Sequence, residues 1–349
     1  MRLSVGAGWL SVVALTSLGR SASAWAESLS ADWAFLIFIL ALVVVWEAVA
    51  LPAGVVAAVR RERRFRRGRI AVSTLVANQL RDALTGIVIA VGGASVVWWS
   101  LTNLGAWWWI AVGALGAPIL LIMTALAGVS VRVAPGSRPL ARQALAERLS
   151  QLTEQACGRR VPVLEWNDPA AVPTALVTGV GRSGAILLSR EMVADWSDDE
   201  IAVVVAHELS HHARHDLWRK AALDAVVLLV ALWVADRVVA TAGPAVGVPS
   251  LTSLTALPLI ALSSWVMWWV LRPIRLAQSR AHERVADRFA IRLTGDHEAF
   301  RTAVRRLAAQ HLTEERPSTL TRWLFHRHPT PDERIKASIN ASIKASATR

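Results

Sequence analysis

The chain has no tyrosine, a single cysteine and few charged side chains for its 349 residues. One cysteine, Cys157, cannot close an internal disulfide, and a thiolate metal cluster needs at least a second, so Cys157 is expected as a buried apolar residue. Charged residues make up 18% of the chain, against about 25% in an ordinary soluble domain. Set beside 54% hydrophobic residues, that scarcity excludes intrinsic disorder and argues against a wholly water-soluble enzyme. In place of tyrosine stand 17 tryptophans, several clustered as Trp98, Trp99 and Trp107 to Trp109. Such clusters suit aromatic anchoring at membrane interfaces. The composition is that of a polytopic membrane protein with a modest soluble part.

The net charge of +12 is concentrated in two places. Residues 60–69 (RRERRFRRGR) carry seven Arg and one Glu, and residues 272–349 carry sixteen basic against eight acidic groups, which leaves the rest slightly acidic. An arginine block beside an apolar stretch marks a cytoplasmic loop and sits well on anionic headgroups. No nucleic-acid-binding module accompanies the charge, and no nucleic-acid partner is expected.

A spanning helix needs roughly 20 mostly apolar residues. Residues 33–59 meet that with one internal charge, Glu47. Within a bundle an acid at such a position marks a functional or cavity-facing group. Residues 76–99 and 105–130 are further spans within an N-terminal membrane region covering 27–130, joined by the uncharged SLTNLG, which is suited to a tight hairpin. Residues 1–26 read as a cleavable signal or an uncleaved signal-anchor helix. Residues 131–219, with acids and bases in balance, form a first soluble block. A second hydrophobic hairpin at 220–271 follows, its first stretch, 221–241, interrupted by Asp224, Asp236 and Arg237. Residues 272–349 form a basic, helix-rich second block. With the 60–69 loop inside the cell, both soluble blocks lie on the cytoplasmic side of a multi-pass cell-membrane protein.

At His207–His211 the chain reads HELSH. Two His at i and i+4 share one helical face and reach one Zn²⁺, while the Glu between them, Glu208, serves as general base towards a zinc-activated water. With nine His in the chain, about 0.01 chance occurrences of this pattern are expected. Ser197-Asp198-Asp199-Glu200 is a capping box that starts the helix just ahead of the apolar run IAVVVA. A zinc hydrolase site takes three protein ligands and keeps one open position. His215 lies too far along the helix from His207, His212 points to another face, and the later Gly and His of the metzincins are missing. A carboxylate from a second helix is the natural third ligand. In SRAHERVADRFAIRL, residues 279–293, Glu283 and Asp287 stand at i and i+4, so one can bind metal while the other orients a ligand imidazole.

HELSH, two apolar segments, SRAHERVADR and then HPTPDERI at 328–335, in that order, resemble the M48 zinc metallopeptidases, the HtpX/Ste24-like membrane proteases. The resemblance covers roughly residues 145–337. It implies an α-helical integral membrane protein with a cytoplasmic α+β zincin-like catalytic domain of the HExxH gluzincin type. It implies one zinc per chain held by His207, His211 and Glu283, Glu208 as general base, Asp287 behind a ligand, and His328 and Arg334 near the substrate carbonyl, where they would hold a developing oxyanion. The implied substrates are polypeptides, membrane proteins among them, cleaved beside the lipid bilayer, with membrane-protein quality control as one role for such an enzyme.

Upstream, Pro173-Thr174-Ala175-Leu176-Val177, then Gly179, Gly181 and Gly184, then Ala185 to Leu188, read as two strands around a Gly-rich turn. In the resembled family such a strand borders the cleft and pairs with extended substrate, so Thr174, Ala175 and Leu176 are substrate-strand candidates. Thr174 departs from the Asn common at that position. Two other readings stand beside this one: an M56, BlaR1-like membrane metallopeptidase in signalling, and a non-catalytic membrane scaffold with a degenerate metal site. The two apolar stretches between His211 and Glu283, together with HPTPDERI, favour M48, and the intact HELSH counts against the scaffold.

Overall fold

A computed structural model describes residues 2–30, 32–65, 71–132, 137–166, 174–178, 185–310 and 317–347. Its elements are α1 (Arg2–Leu15), α2 (Ser17–Leu29), α3 (Ala34–Phe65), α4 (Val72–Leu104), α5 (Trp108–Arg132), β1 (Arg138–Pro139), α6 (Gln143–Cys157), β2 (Val163–Trp166), β3 (Ala175–Thr178) and β4 (Ala185–Ser189). Then follow α7 (Arg190–Asp195), α8 (Asp198–Ala213), α9 (Asp216–Ala242), α10 (Ala256–Val270), α11 (Arg272–Thr294), α12 (His297–Gln310), α13 (Thr319–Phe325) and α14 (Pro331–Ala347). They form two compact units, one of Met1–Gly116 with Ala225–Val270, the other of Ala117–Asp224 with Leu271–Arg349.

Among the described residues three stretches are long and apolar enough to cross a membrane, each mostly in the first unit: Ala34–Arg60, Val72–Ile119, which ends in the second unit, and Asp216–Ala242, which begins there. A fourth appears if the bent pair α10 and α11 counts as one span. The SLTNLG segment stays helical to Leu104, and the break falls at Gly105, whose φ of 52° favours a residue without Cβ. The arginine block departs from the expected loop in its first half, because α3 runs on through Phe65. Arg and Glu are good helix formers and extend the apolar helix past its last Ala and Val; Arg66, Arg67 and Arg69 lie outside the described residues.

The interrupted 221–241 stretch is helical throughout, and Asp236 explains how an acid fits there. It is 2% exposed, accepts a 2.8 Å hydrogen bond from Trp108 Nε1, and is also held by Arg237. Trp108 is itself fully buried, unlike its neighbour Trp107, so this member of the aromatic cluster is a core residue rather than an interface anchor. A bond from a neutral donor to a buried carboxylate contributes about 1.5–3 kcal/mol. Gly113 lets α5 approach α9 closely, since a Cβ there would fall 2.2 Å from Leu229 Cδ2.

The second unit is built on a four-stranded sheet of order β1-β2-β4-β3. Strands β2 and β4 are parallel and the other pairs antiparallel. All five residues of β4 are buried, as suits a central strand, whereas β3 forms an edge. The core beneath the sheet joins Leu145, Leu149 and Leu152 of α6, Ile186 and Leu188 of β4, Met192 of α7, and Ile201, Val205 and Leu209 of α8. Cys157 packs at the rim of this core and is half-buried rather than buried, because it ends α6 at the Gly158 cap; burial pushes its thiol pKa up. The two-strand reading is realised as the antiparallel pair β3 and β4, while Pro173, Gly179, Gly181 and Gly184 lie outside the described residues.

Candidate metal centre

The centre lies wholly in the second unit. Helix α8 starts at the expected capping box: Ser197 Oγ accepts from Glu200 N, and Glu200 Oε2 accepts from Ser197 N at 3.0 Å. The run Ile201–Ala206 is buried, which fixes the rotation of the helix and carries His207 to its inner face. Across it packs α11, with Ala206 of α8 and Ala290 of α11 completely buried in a shared cluster. Small side chains at the crossing allow the two backbones to approach and bring Glu283 and Asp287 against the histidines.

His207 Nε2 and His211 Nε2 stand 3.3 Å apart. Glu283 Oε2 is 3.2 Å from the first, and Glu283 Oε1 is 3.5 Å from the second. Behind each imidazole is a carboxylate: Asp287 Oδ1 lies 3.0 Å from His207 Nδ1, and Asp216 Oδ2 lies 3.0 Å from His211 Nδ1. A carboxylate accepting from Nδ1–H selects the tautomer whose lone pair is on Nε2. Two lone pairs and a carboxylate then face one another, a donor set that calls for a cation. Among the described residues, His207, His211 and Glu283 form the one group of three with metal-ligand atoms this close, all within 4.8 Å.

Charge responds accordingly. Burial opposes a charge on His207, but Asp287 and Glu283 outweigh it and push its pKa up to about 9. Burial also works against ionisation of Glu283, yet His207 and His328 hold it far below the usual carboxylate range. Asp287 is likewise held low, by His207 and Arg334, against its burial. In metal-free protein a proton thus stands in for the cation. Below pH 9 an incoming metal ion displaces it, so that at pH 7.5 about one proton should leave per ion bound and affinity should fall as pH falls. Calorimetric titration in two buffers of different ionisation enthalpy counts that proton; a heat independent of buffer would contradict it.

Asp216 was not legible as part of the centre. It lies beyond the end of α8, and it reaches His211 only because His215 takes φ 56°, the one positive φ among described non-glycine residues. Histidine tolerates the left-handed region better than most residues. The turn makes Asp216 the first residue of α9 and places it 5% exposed behind the imidazole, with His282 Nδ1 3.7 Å from its other oxygen. The available sign in the sequence was an acid five positions after the second His. Asp216→Asn keeps the shape and removes the charge, and should weaken metal binding about 10–100-fold by chelator competition.

Glu208 is half-buried and lines a cleft of about 680 Å³. Thr174, Ala175 and Leu176 line it too, with Thr174 just ahead of β3, and so do Met192, Val203 and Val204. His328 and Arg334 also border the cleft, where His328 Nδ1 comes 2.8 Å from Glu283 Oε2. The segment HPTPDERI places them through its own start signals. Thr330 accepts at Oγ1 from Glu333 N, Pro331 opens α14, and Asp332 and Glu333 fill its first turn. Arg334 then forks onto Asp287, Nε at 2.9 Å and Nη2 at 2.5 Å, with its guanidinium 5.8 Å from the Phe300 ring. Burial counts against its charge, and Asp287 and Glu283 raise its pKa nonetheless.

Residues 139–340 match the family described as Peptidase family M48. Among curated proteins the chain is similar to the uncharacterized metalloprotease YhfN of Bacillus subtilis (strain 168), 26% identical over 69% of this chain and 58% of that one. It is also similar to the protease HtpX of Hahella chejuensis, 29% identical over 48% and 62%. HtpX of Stutzerimonas stutzeri is 27% identical over 62% and 80%. The chain thus spans about three fifths of the length of the first two. Among solved structures, S. mikatae Ste24p shares the fold with a TM-score of 0.69 at 18% identity, over 87% of this chain and 75% of that one.

Proposed function

The chain belongs to peptidase family M48, and on that footing we propose that it is an integral-membrane, zinc-dependent endopeptidase with one zinc per chain. The observation that carries the reading is the convergence of the two imidazole Nε2 atoms and the Glu283 carboxylate on one point. Ligands about 2.0–2.1 Å from a tetrahedral zinc stand roughly 3.4 Å from one another. Here the two Nε2 atoms stand 3.3 Å apart, Glu283 approaches His207 Nε2 through Oε2 at 3.2 Å and His211 Nε2 through Oε1 at 3.5 Å, and one ligand atom from each residue lies within 4.8 Å of the others. Zinc bound by His207, His211 and Glu283 would supply a Lewis acid that polarises the scissile carbonyl and acidifies water.

The chain's own groups do the rest. Glu208 accepts the proton of the attacking water and returns it to the departing amine. Asp287 and Asp216 hold the imidazoles in place, and Arg334 fixes Asp287. With Nε and Nη2 so engaged, Nη1 of Arg334 and the ring of His328 are the donors proposed to face the carbonyl oxygen as negative charge develops. Because Thr174 O accepts from Ser189 N, hydrogen-bonded pairs fall at 174, 176 and 178, and the main chain of Ala175 and Val177 turns away from β4. That edge is where an extended substrate would pair.

The cytoplasmic placement of the catalytic unit rests on the arginine block at 60–69. Protease attack on residues 137–166 from the outer face of intact cells would refute it. Family membership decides against the M56 reading. For the activity itself, protein stripped of metal by a chelator should lose cleavage of an unfolded polypeptide, and about one equivalent of zinc should restore it. Full activity after stripping, with zinc below detection, would overturn the assignment.

A further inference from the structure

Helix α13 has an apolar side that the described residues leave uncovered. Leu320 is 68% exposed and Trp323 56%, on a helix of seven residues with no buried member. Its other side is tied down by arginines of α11. Arg272 Nε donates to Leu324 O at 2.6 Å with its guanidinium 5.5 Å from the Phe325 ring, and Arg280 Nη1 donates to His326 O at 2.9 Å. Cations at the carbonyl end of a helix also suit its dipole. The attachment at Arg272 matters because Arg272 stands two residues after α10, which has no charged residue in its fifteen and carries Trp265, Trp268 and Trp269 near its end. An apolar helix closing on tryptophans and then arginines is the signature of a bilayer boundary.

A second line of contacts gives the same level. One turn further along α11, Arg275 Nε pairs with Asp224 at 2.6 Å, and Gln278 Nε2 donates to Arg219 O at 3.2 Å. These fasten the first turns of α9, another apolar helix, where Leu217, Trp218, Arg219 and Lys220 are all exposed. Along about 12 Å of α11, from Arg272 to Arg280, the protein therefore gathers two exposed tryptophans, two exposed leucines and exposed basic groups. Apolar side chains backed by basic ones are what an anionic headgroup layer accepts.

We propose that α13, with the start of α9, lies in the bilayer interface with Leu320 and Trp323 inserted at the boundary between headgroups and acyl chains. Phe325 and His326, at and just past the end of α13, line the cleft. The cleft mouth on this side then opens at the membrane surface, and, if the peptidase reading holds, its substrates are polypeptide segments at or emerging from that surface.

The test uses the full chain in nanodiscs of phosphatidylcholine with a minor fraction of phosphatidylglycerol. Cys157→Ser removes the only thiol, and spin labels are placed singly through Leu320→Cys, Trp323→Cys and, as an exposed control on α6, Gln155→Cys. The labels at 320 and 323 should favour collision with oxygen over a water-soluble nickel complex by roughly fivefold more than the control. Nickel access equal to the control would overturn the proposal. So would nickel access that falls only when an unfolded polypeptide is added, which would make α13 a peptide-binding face. Neither readout depends on catalysis, so its failure is distinct from a failure of the peptidase reading. Two separately labelled positions guard against one substitution misfolding.

Discussion

Glu208→Gln is expected to leave the protein folded and zinc-loaded while peptide-bond cleavage falls on the order of 10²–10⁴-fold. The amide matches the carboxylate in size, so the half-buried position on α8 is undisturbed, but it cannot take a proton. The ligand set does not include this residue, and zinc content should therefore stay near one per chain. Activity and zinc content measured on one preparation separate the roles. Cleavage within a few-fold of wild type would remove Glu208 as general base, and loss of zinc together with activity would show that it acts on the metal instead.

Glu283→Ala reaches the other half of the site. It removes the one anionic member of the three proposed ligands and leaves the Nε2 atoms of His207 and His211 facing each other across 3.3 Å. It also frees His328, which loses its 2.8 Å contact. Zinc measured after exhaustive dialysis should fall from about one per chain to a small fraction of that, with activity lost in proportion. Retention of zinc would require another third ligand. Among the described residues Asp287 is the nearest carboxylate on the same helix, but it is held by Arg334 and His207. Paired with Glu208→Gln, this variant distinguishes a catalytic failure that spares the metal from one that follows its loss.

The site was readable where chemistry imposes a spacing along one helix. HELSH and Glu283–Asp287 both depend on i, i+4 geometry, and the capping box marks where α8 begins. Which carboxylate of the second pair faces the two Nε2 atoms was decided by the crossing of α8 and α11, a packing fact that spacing on one helix does not contain. Asp216 was hidden for a related reason, since its position depends on a single left-handed residue between two helices. Trp108 shows the converse. Its neighbours suggested an interface anchor, and a partner 128 positions later, Asp236, made it part of the core. In the fold, long apolar runs announced helices clearly. The short strands β1 to β4, of two to five residues, gave only a weak alternating pattern, and their order rests on pairing between distant segments.

The three candidate metal ligands come from two stretches of chain separated by α9 and α10, with Glu283 following His207 by 76 residues. A ribosome adding about 5–20 residues per second needs roughly 4–15 s to cover that interval. During synthesis the two histidines and Glu208 are made first and wait for a third ligand that emerges only after the intervening apolar pair. His328 and Arg334 follow later still. The order of the chain thus brings the two candidate ligand segments together only after the apolar pair between them has been made.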